Sequence, residues 1–383
     1  QRTYWFATTN LPRKHTLINE RIGSAFCFLH NKTQQNDIPM PTFRKAICTK
    51  KGGPETIQIA EEDISDPGPG EARLKILTAG VAFADVLMRY GKYPSQPAFP
   101  FTLGYDCIAV VDAIGTGVTA FQLGDKVAAL TKVGCQAEYL LWPAVDLVPV
   151  PAGLDDVKSV ALVLNYVTAY QMLHRSAKVQ SGQSILVHGA GGGVGTALLE
   201  LARLIPNVTV YGTASASKHD VIKGLSGIPI DYKSEDFVER IKTLTDGKGV
   251  DVVFESIGGS HLGRSTKVLK KEGAVIVYGL GNSVPNQGRK GGGFRTFLAT
   301  GLIIAYNALS PWGARISLYV VTDMKMEHPD WFRDDLQMLF EMLKEKKIDP
   351  LIGRVGPLSD AQELERLIEN AGVTGKIVVR VHE

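Results

Sequence analysis

Between Glu71 and Val81 the chain reads EARLKILTAGV, with Ala72, Leu74 and Ile76 on alternate positions, the period of a strand that buries one face. The same rhythm runs from Arg44 to about Pro149. KAICTK, IQIAEEDI and IAVVDAIG cluster apolar and β-branched residues between glycine and proline breaks, and DPGPGE at 66–71 reads as a loop. This stretch predicts a mostly β domain.

The pattern changes near Asp155. ILVHG (185–189) predicts a buried strand, and Val194, Ala197, Leu198, Leu201, Ala202 and Ile205 then repeat at helical spacing on one face. Next come strands at VTVYG (208–212), IPIDY (228–232), GVDVVFES (249–256) and GAVIVYGL (273–280), separated by helices from about Ser217, over 235–245 and over 260–270. Strand and helix in such alternation predict βαβ units and a parallel sheet covered on both faces. Phe332, Leu336, Leu339, Phe340 and Leu343 mark a later helix, and KIVVRV (376–381) a last strand. FLATGLIIAYNAL, from Phe297, is too short to span a bilayer and predicts a buried helix, with contact to a membrane surface as the alternative.

Composition narrows the class. At 383 residues there is room for two or three domains, and 44% apolar with 21% charged residues is the balance of an ordinary globular protein. A net charge of +3 is too small for nucleic acid to be the main partner. Cys27, Cys48, Cys107 and Cys135 lie far apart with no CxxC or Cys/His cluster, which argues against a disulfide framework or a four-cysteine zinc lobe and for a reducing compartment. Residues 1–40 carry Arg2, Arg13, Lys14, Arg21 and Lys32 against Glu20 and Asp37. They read as an extension ahead of Met40, with a cytoplasmic protein, or as a transit peptide, with an organellar one.

Candidate chemistry centres on VHGAGGGVG (187–195), which leaves a predicted strand and enters a predicted amphipathic helix, the context of a dinucleotide-binding turn. The register Ala190-x-Gly192-x-x-Gly195 lets the backbone approach a pyrophosphate at Gly192 and lets helix and strand pack closely at Gly195. The amides around Gly192, Gly193, Val194 and Gly195 would face the anion at the positive helix end. An NAD site usually has an acid about 20 residues on. Here residue 215 is serine, in GTASASKHD. Ser215 and Lys218 suit a 2′-phosphate, so NADPH is the expected cofactor; the other reading of Lys218 is a surface lysine near a helix start.

Residues 43–383 resemble the medium-chain dehydrogenase/reductase superfamily, and within it the zinc-free quinone oxidoreductases that include zeta-crystallin and VAT-1-like proteins. The matching pieces are AGVAFADVLMRYGKYP (79–94), LGYDCIAVVDAIGTGV (103–118), GDKVAAL (124–130), VLNYVTAYQML (163–173) and HGAGGGVG (188–195), in the family's order. The resemblance implies an α/β protein: a GroES-like β domain from 41–162 and 322–383, and a Rossmann NADPH-binding domain with a doubly wound parallel sheet at 163–321. It also implies a homodimer.

In the zinc branch the catalytic metal is held at positions that correspond here to Ala82, Tyr105 and approximately Leu164, none of them a usual zinc ligand. No metal site is expected. Without a Lewis acid a simple alcohol is a poor hydride donor, so the expected substrate is a quinone or an α,β-unsaturated carbonyl. A low-turnover NADPH-binding scaffold or membrane-associated protein is the alternative. By the same resemblance Tyr93 lies near the nicotinamide, as proton donor or as a merely contacting residue; Ala82 stands where the quinone reductases usually have asparagine. Thr168 would face the nicotinamide, Tyr232 the 2′-phosphate or adenosine, and Tyr278 and Gly279 the cofactor beyond a strand end. Asn165, His188 and Asp85 are expected to be structural, and GRKGGG (288–293) a basic loop near the substrate or an exposed insertion.

Overall fold

Glu71–Val81 forms the strand its alternation predicts, with Ala72, Leu74 and Ile76 fully buried. The computed structural model describes residues 41–94, 96–284, 292–309 and 314–382; the segment 1–40 and residues 288–291 of the basic loop lie outside the described residues. Met40–Glu383 forms one compact unit.

Glu71–Val81 is central to a seven-stranded, mainly antiparallel sheet. It pairs with Asp106–Ile114, which pairs with Lys126–Leu130, and on its other side with Lys376–Arg380 and Tyr139–Pro143. Ile352–Pro357 pairs in parallel with Lys376–Arg380, so the C-terminal stretch closes the sheet that the first hundred residues begin. A second, three-stranded sheet holds Thr42–Cys48 between Ile57–Asp63 and Phe101–Thr102.

The second half builds six parallel strands. Numbered as they occur from Ser184–His188, their order is 3-2-1-4-5-6, the arrangement of a doubly wound nucleotide-binding sheet. The strand order reverses between Ser184–His188 and Val250–Glu255, and ligands of such sheets bind beyond the strand ends at that reversal. Ile185 and Val187 face the helix Gly193–Ala202, while Leu186 faces Phe237, Ile241 and Leu262 on the other side.

Three expectations are corrected. The helix at 260–270 ends at Ser265, and the next strand begins at Leu269 rather than Gly273. The sixth parallel strand, Arg315–Leu318, has no strong apolar run and escaped the pattern reading. The apolar stretch from Phe297 belongs to a helix, Phe294–Leu309, that is not buried: its buried residues are Thr296 and Thr300. Phe294, Leu298, Leu302, Tyr306 and Leu309 are exposed, from 50% for Leu298 to 86% for Leu309; this helix packs on the sheet's edge strand, and among the described residues no further layer covers it. No helix among the described residues is long and apolar enough to cross a membrane.

Candidate active site

After His188 the backbone turns through Gly189, whose φ of 69° suits glycine, and enters the helix at Gly193. Gly192 precedes that helix and its N–H donates to the Gly189 carbonyl at 2.9 Å. The next three amides, of Gly193, Val194 and Gly195, are the first of the helix and have no intrahelical acceptor to reach. A Cβ at Gly195 would lie 2.3 Å from the Gly189 oxygen, so glycine there is what lets helix and turn touch. At Gly193 a Cβ would lie 2.1 Å from Nδ2 of Asn165, which is buried against the turn as a packing residue. The turn therefore has the bare backbone and the open donors that a pyrophosphate requires.

Tertiary structure adds a partner invisible in the motif. The N–H of Gly375 donates to the carbonyl of Gly191 at 3.1 Å, and Gly192 bridges Gly375 in parallel register. The segment leading into the last strand thus clamps the glycine turn. Lys218 lies in the same place: its stem packs over Gly191, where a Cβ would meet it at 2.5 Å, and its ammonium donates to the Val373 carbonyl at 2.7 Å. Burial draws its pKa down. Lys218 is therefore no free surface lysine; its charge is held at the turn. Ser215 opens the short turn before it, with its hydroxyl 3.2 Å from that of Ser217, and Tyr232 is 45% exposed just beyond its strand. Tyr278 donates to the His188 carbonyl at 3.3 Å, and Gly279 passes so close to Ser256 that a Cβ would sit 2.7 Å from its carbonyl oxygen. These residues gather at the carboxyl ends of the strands.

Thr168 lies in Val167–Gln171, a helical segment flanked by two wider π turns. It is buried near Tyr319, whose hydroxyl donates to Gln171 at 2.8 Å. Three residues on, Thr322 lies near the hydroxyls of Tyr93 and Tyr105 and favours their ionised forms. Those two phenols are 2.7 Å apart with their rings edge to face. A run of hydroxyl-bearing residues thus leads from Thr168 to Tyr93. Burial pushes the pKa of Tyr93 up, with the Tyr105 bond pulling against it, and burial pushes Tyr105 up much further.

Ala82, Tyr105 and Leu164 are all buried, and the two side chains without donor atoms are packed in the core. The adjacent carboxylate, Asp106, takes Lys376 Nζ at 2.9 and 3.1 Å. Gly80 makes room for that pair, since a Cβ there would lie 2.1 Å from Asp106 and 2.3 Å from Lys376. Asp85 accepts the amides of Ala82 at 2.9 Å and Gly104 at 3.2 Å, the structural role expected of it.

The sequence reading missed Tyr105 as a partner of Tyr93, Lys376 as the partner of Asp106, and the 373–375 clamp; each pairing spans a separation no local motif reports. It also treated the cysteines as unrelated, whereas the thiols of Cys107 and Cys135 meet in the core as free side chains.

Comparison with known proteins places these features. Residues 68–152 match the family model described as an alcohol dehydrogenase GroES-like domain, and residues 227–379 match the one described as a zinc-binding dehydrogenase. A 2-haloacrylate reductase of a Burkholderia species is 31% identical over 87% of this chain and 98% of its own. The rat quinone oxidoreductase is 30% identical over 86% and 94%. The human synaptic vesicle membrane protein VAT-1 homolog is 39% identical over 62% of this chain, and the match spans 61% of that relative's length. Among solved structures, a mycobacterial protein complexed with NADPH superposes with a TM-score of 0.75 at 25% identity, covering 88% of this chain and 99% of that one.

Proposed function

From the premise that this chain belongs to the quinone oxidoreductase and VAT-1-like branch of the medium-chain dehydrogenase/reductase superfamily, we propose that it is an NADPH-dependent, zinc-independent reductase of quinones or α,β-unsaturated carbonyls. The observation that carries this reading is the glycine turn with open amides and a lysine held beside it, together with a metal-ligand position filled by Ala82, Tyr105 and Leu164. The names of the Burkholderia and rat relatives support the acceptor class, and the NADPH complex supports the cofactor.

Bound NADPH would supply the hydride. Gly193, Val194 and Gly195 would hold its pyrophosphate through backbone N–H groups, Lys218 and Ser215 its 2′-phosphate, and Tyr232 its adenosine side. Thr168, Tyr278 and Gly279 would position the nicotinamide half. Tyr93 would deliver a proton to the oxygen of the reduced acceptor, and Tyr105 would donate a hydrogen bond to the phenolate so formed. Zinc independence is supported by Asp106, whose carboxylate is committed to Lys376. The working division is a substrate-side β domain at 41–162 and 322–383 and a cofactor domain at 163–321, in a cytoplasmic homodimer. Among the described residues the edge strand Arg315–Leu318 pairs on one side only and stands with the exposed helix, which supports a second copy as the occupant of that edge.

The test is NADPH oxidation against a panel of quinones, alkenals and enones. Turnover with at least one class, unchanged by a chelator, is expected. Tight NADPH binding without acceleration by any acceptor would favour the scaffold reading, and alcohol-dependent reduction of NADP abolished by the chelator would make it a zinc alcohol dehydrogenase.

A further inference from the structure

Leu186 and His188 share the sheet face covered by Phe237–Leu244 and Ser260–Ser265, away from the glycine-turn helix. There the buried carboxylate of Glu255 meets two imidazoles brought from elsewhere in the chain. One Glu255 oxygen is fixed by the N–H groups of Ile257 at 2.7 Å and Gly258 at 3.2 Å. The other faces Nδ1 of His261 at 2.8 Å, Nε2 of His188 at 3.9 Å and the Ser265 hydroxyl at 2.5 Å. One ligand atom from each of His188, Glu255 and His261 lies within 4.8 Å of the others.

We propose that His188, Glu255 and His261 form a binding site for a divalent transition-metal ion of the zinc type, with Ser265 or a water as fourth ligand. Two imidazoles and a carboxylate are a zinc donor set. Two of the three donors are held from behind, as metal ligands are: Nδ1 of His188 meets the Thr213 hydroxyl at 3.0 Å, and Glu255 is anchored by its two amides. Ligands about 2.0–2.1 Å from a tetrahedral ion lie about 3.3–3.4 Å apart. The distances of 2.8 and 3.9 Å straddle that value, while the two ring nitrogens, within 4.8 Å of each other, would approach by up to about 1.4 Å to complete the shell. Burial supplies the motive. Glu255 is 0% exposed, and the side chains around its carboxylate among the described residues are two imidazoles and the Ser265 hydroxyl rather than Lys or Arg; buried charges are paired or hold metals. His261 keeps 17% of its side chain exposed and gives the ion a way in. The ion is not a Lewis acid for the proposed reduction, since its ligands exclude Ala82, Tyr105 and Leu164; it would tie two strand ends together at the reversal of the sheet.

The full chain, stripped with a chelator and dialysed, is titrated with Co²⁺ and followed by visible absorption, and equilibrium dialysis with Zn²⁺ gives the stoichiometry. One ion per chain with Kd of about 1 μM or tighter is expected. His261→Ala should weaken it at least about 100-fold while the chain still melts cooperatively. His261→Cys should restore binding and add a near-ultraviolet thiolate-to-cobalt band that a purely structural role for His261 would not produce. The site is refuted by no saturable binding in the wild type, which leaves an ordinary buried ion pair. Affinity unchanged in His261→Ala, or a cysteine variant without the thiolate band, refutes it equally. None of these outcomes touches the reductase reading, which the acceptor panel decides.

Discussion

The hydroxyl of Tyr93 lies 2.7 Å from that of Tyr105, a residue that stands where zinc-dependent relatives would need a metal ligand. In the proposed reaction this phenol pair would move or stabilise a proton. Tyr93→Phe is expected to lower kcat by at least about 10-fold, within the usual worth of a placed acid. Tyr105→Phe should lower it by about 10-fold, the worth of one hydrogen bond to a charged oxygen. The pH profile separates the roles. Tyr93 serves in its protonated form, and burial raises its pKa above the usual value near 10, so kcat should hold from pH 7 to 10. Tyr105 pulls that pKa down, so its removal should move the alkaline limb upward. A limb that stays in place would reduce Tyr105 to packing.

Lys218 stands between the glycine turn and the Val373 carbonyl. Lys218→Ala should raise the Kd for NADPH about 10-fold more than that for NADH, about 1.4 kcal/mol of selectivity, read by fluorescence titration. Equal losses would assign the lysine to the clamp rather than to the 2′-phosphate.

Gly195→Ala would place a methyl group 2.3 Å from the Gly189 oxygen and 2.7 Å from the Cα of Ala190. Backbone on both sides leaves little to yield, so a loss of about 1–3 kcal/mol is expected, seen as a lower thermal midpoint. NADPH should restore less of that midpoint than it adds to the wild type. Gly224→Ala, where nothing stands within 4 Å, serves as the control and should leave the midpoint nearly unchanged.

Leu302 is 61% exposed in the middle of the apolar helix stripe. If a second copy covers that stripe and the Arg315–Leu318 edge, Leu302→Glu should shift the mass measured by light scattering from dimer to monomer. A monomeric wild type would remove the dimer outright.

What the sequence determined by itself was local. Periods of two and 3.6 residues placed the strand Glu71–Val81 and the start of the helix at Gly193, though the apolar face read to Ile205 overran the helix end at Ala202 by three residues; the glycine turn stood out as a candidate anion site because backbone close to an anion needs residues without side chains. Pairings between distant positions were decided by tertiary structure: Tyr93 with Tyr105, Asp106 with Lys376, Gly191 with Gly375, and Glu255 with His188 and His261. Such contacts depend on which strands become neighbours, and hydrophobic period says which face of a strand is buried without saying beside whom. The helix Phe294–Leu309 makes the same point: its apolar residues predict burial, but only the sheet order shows that it lies over an edge, where no further layer among the described residues covers it.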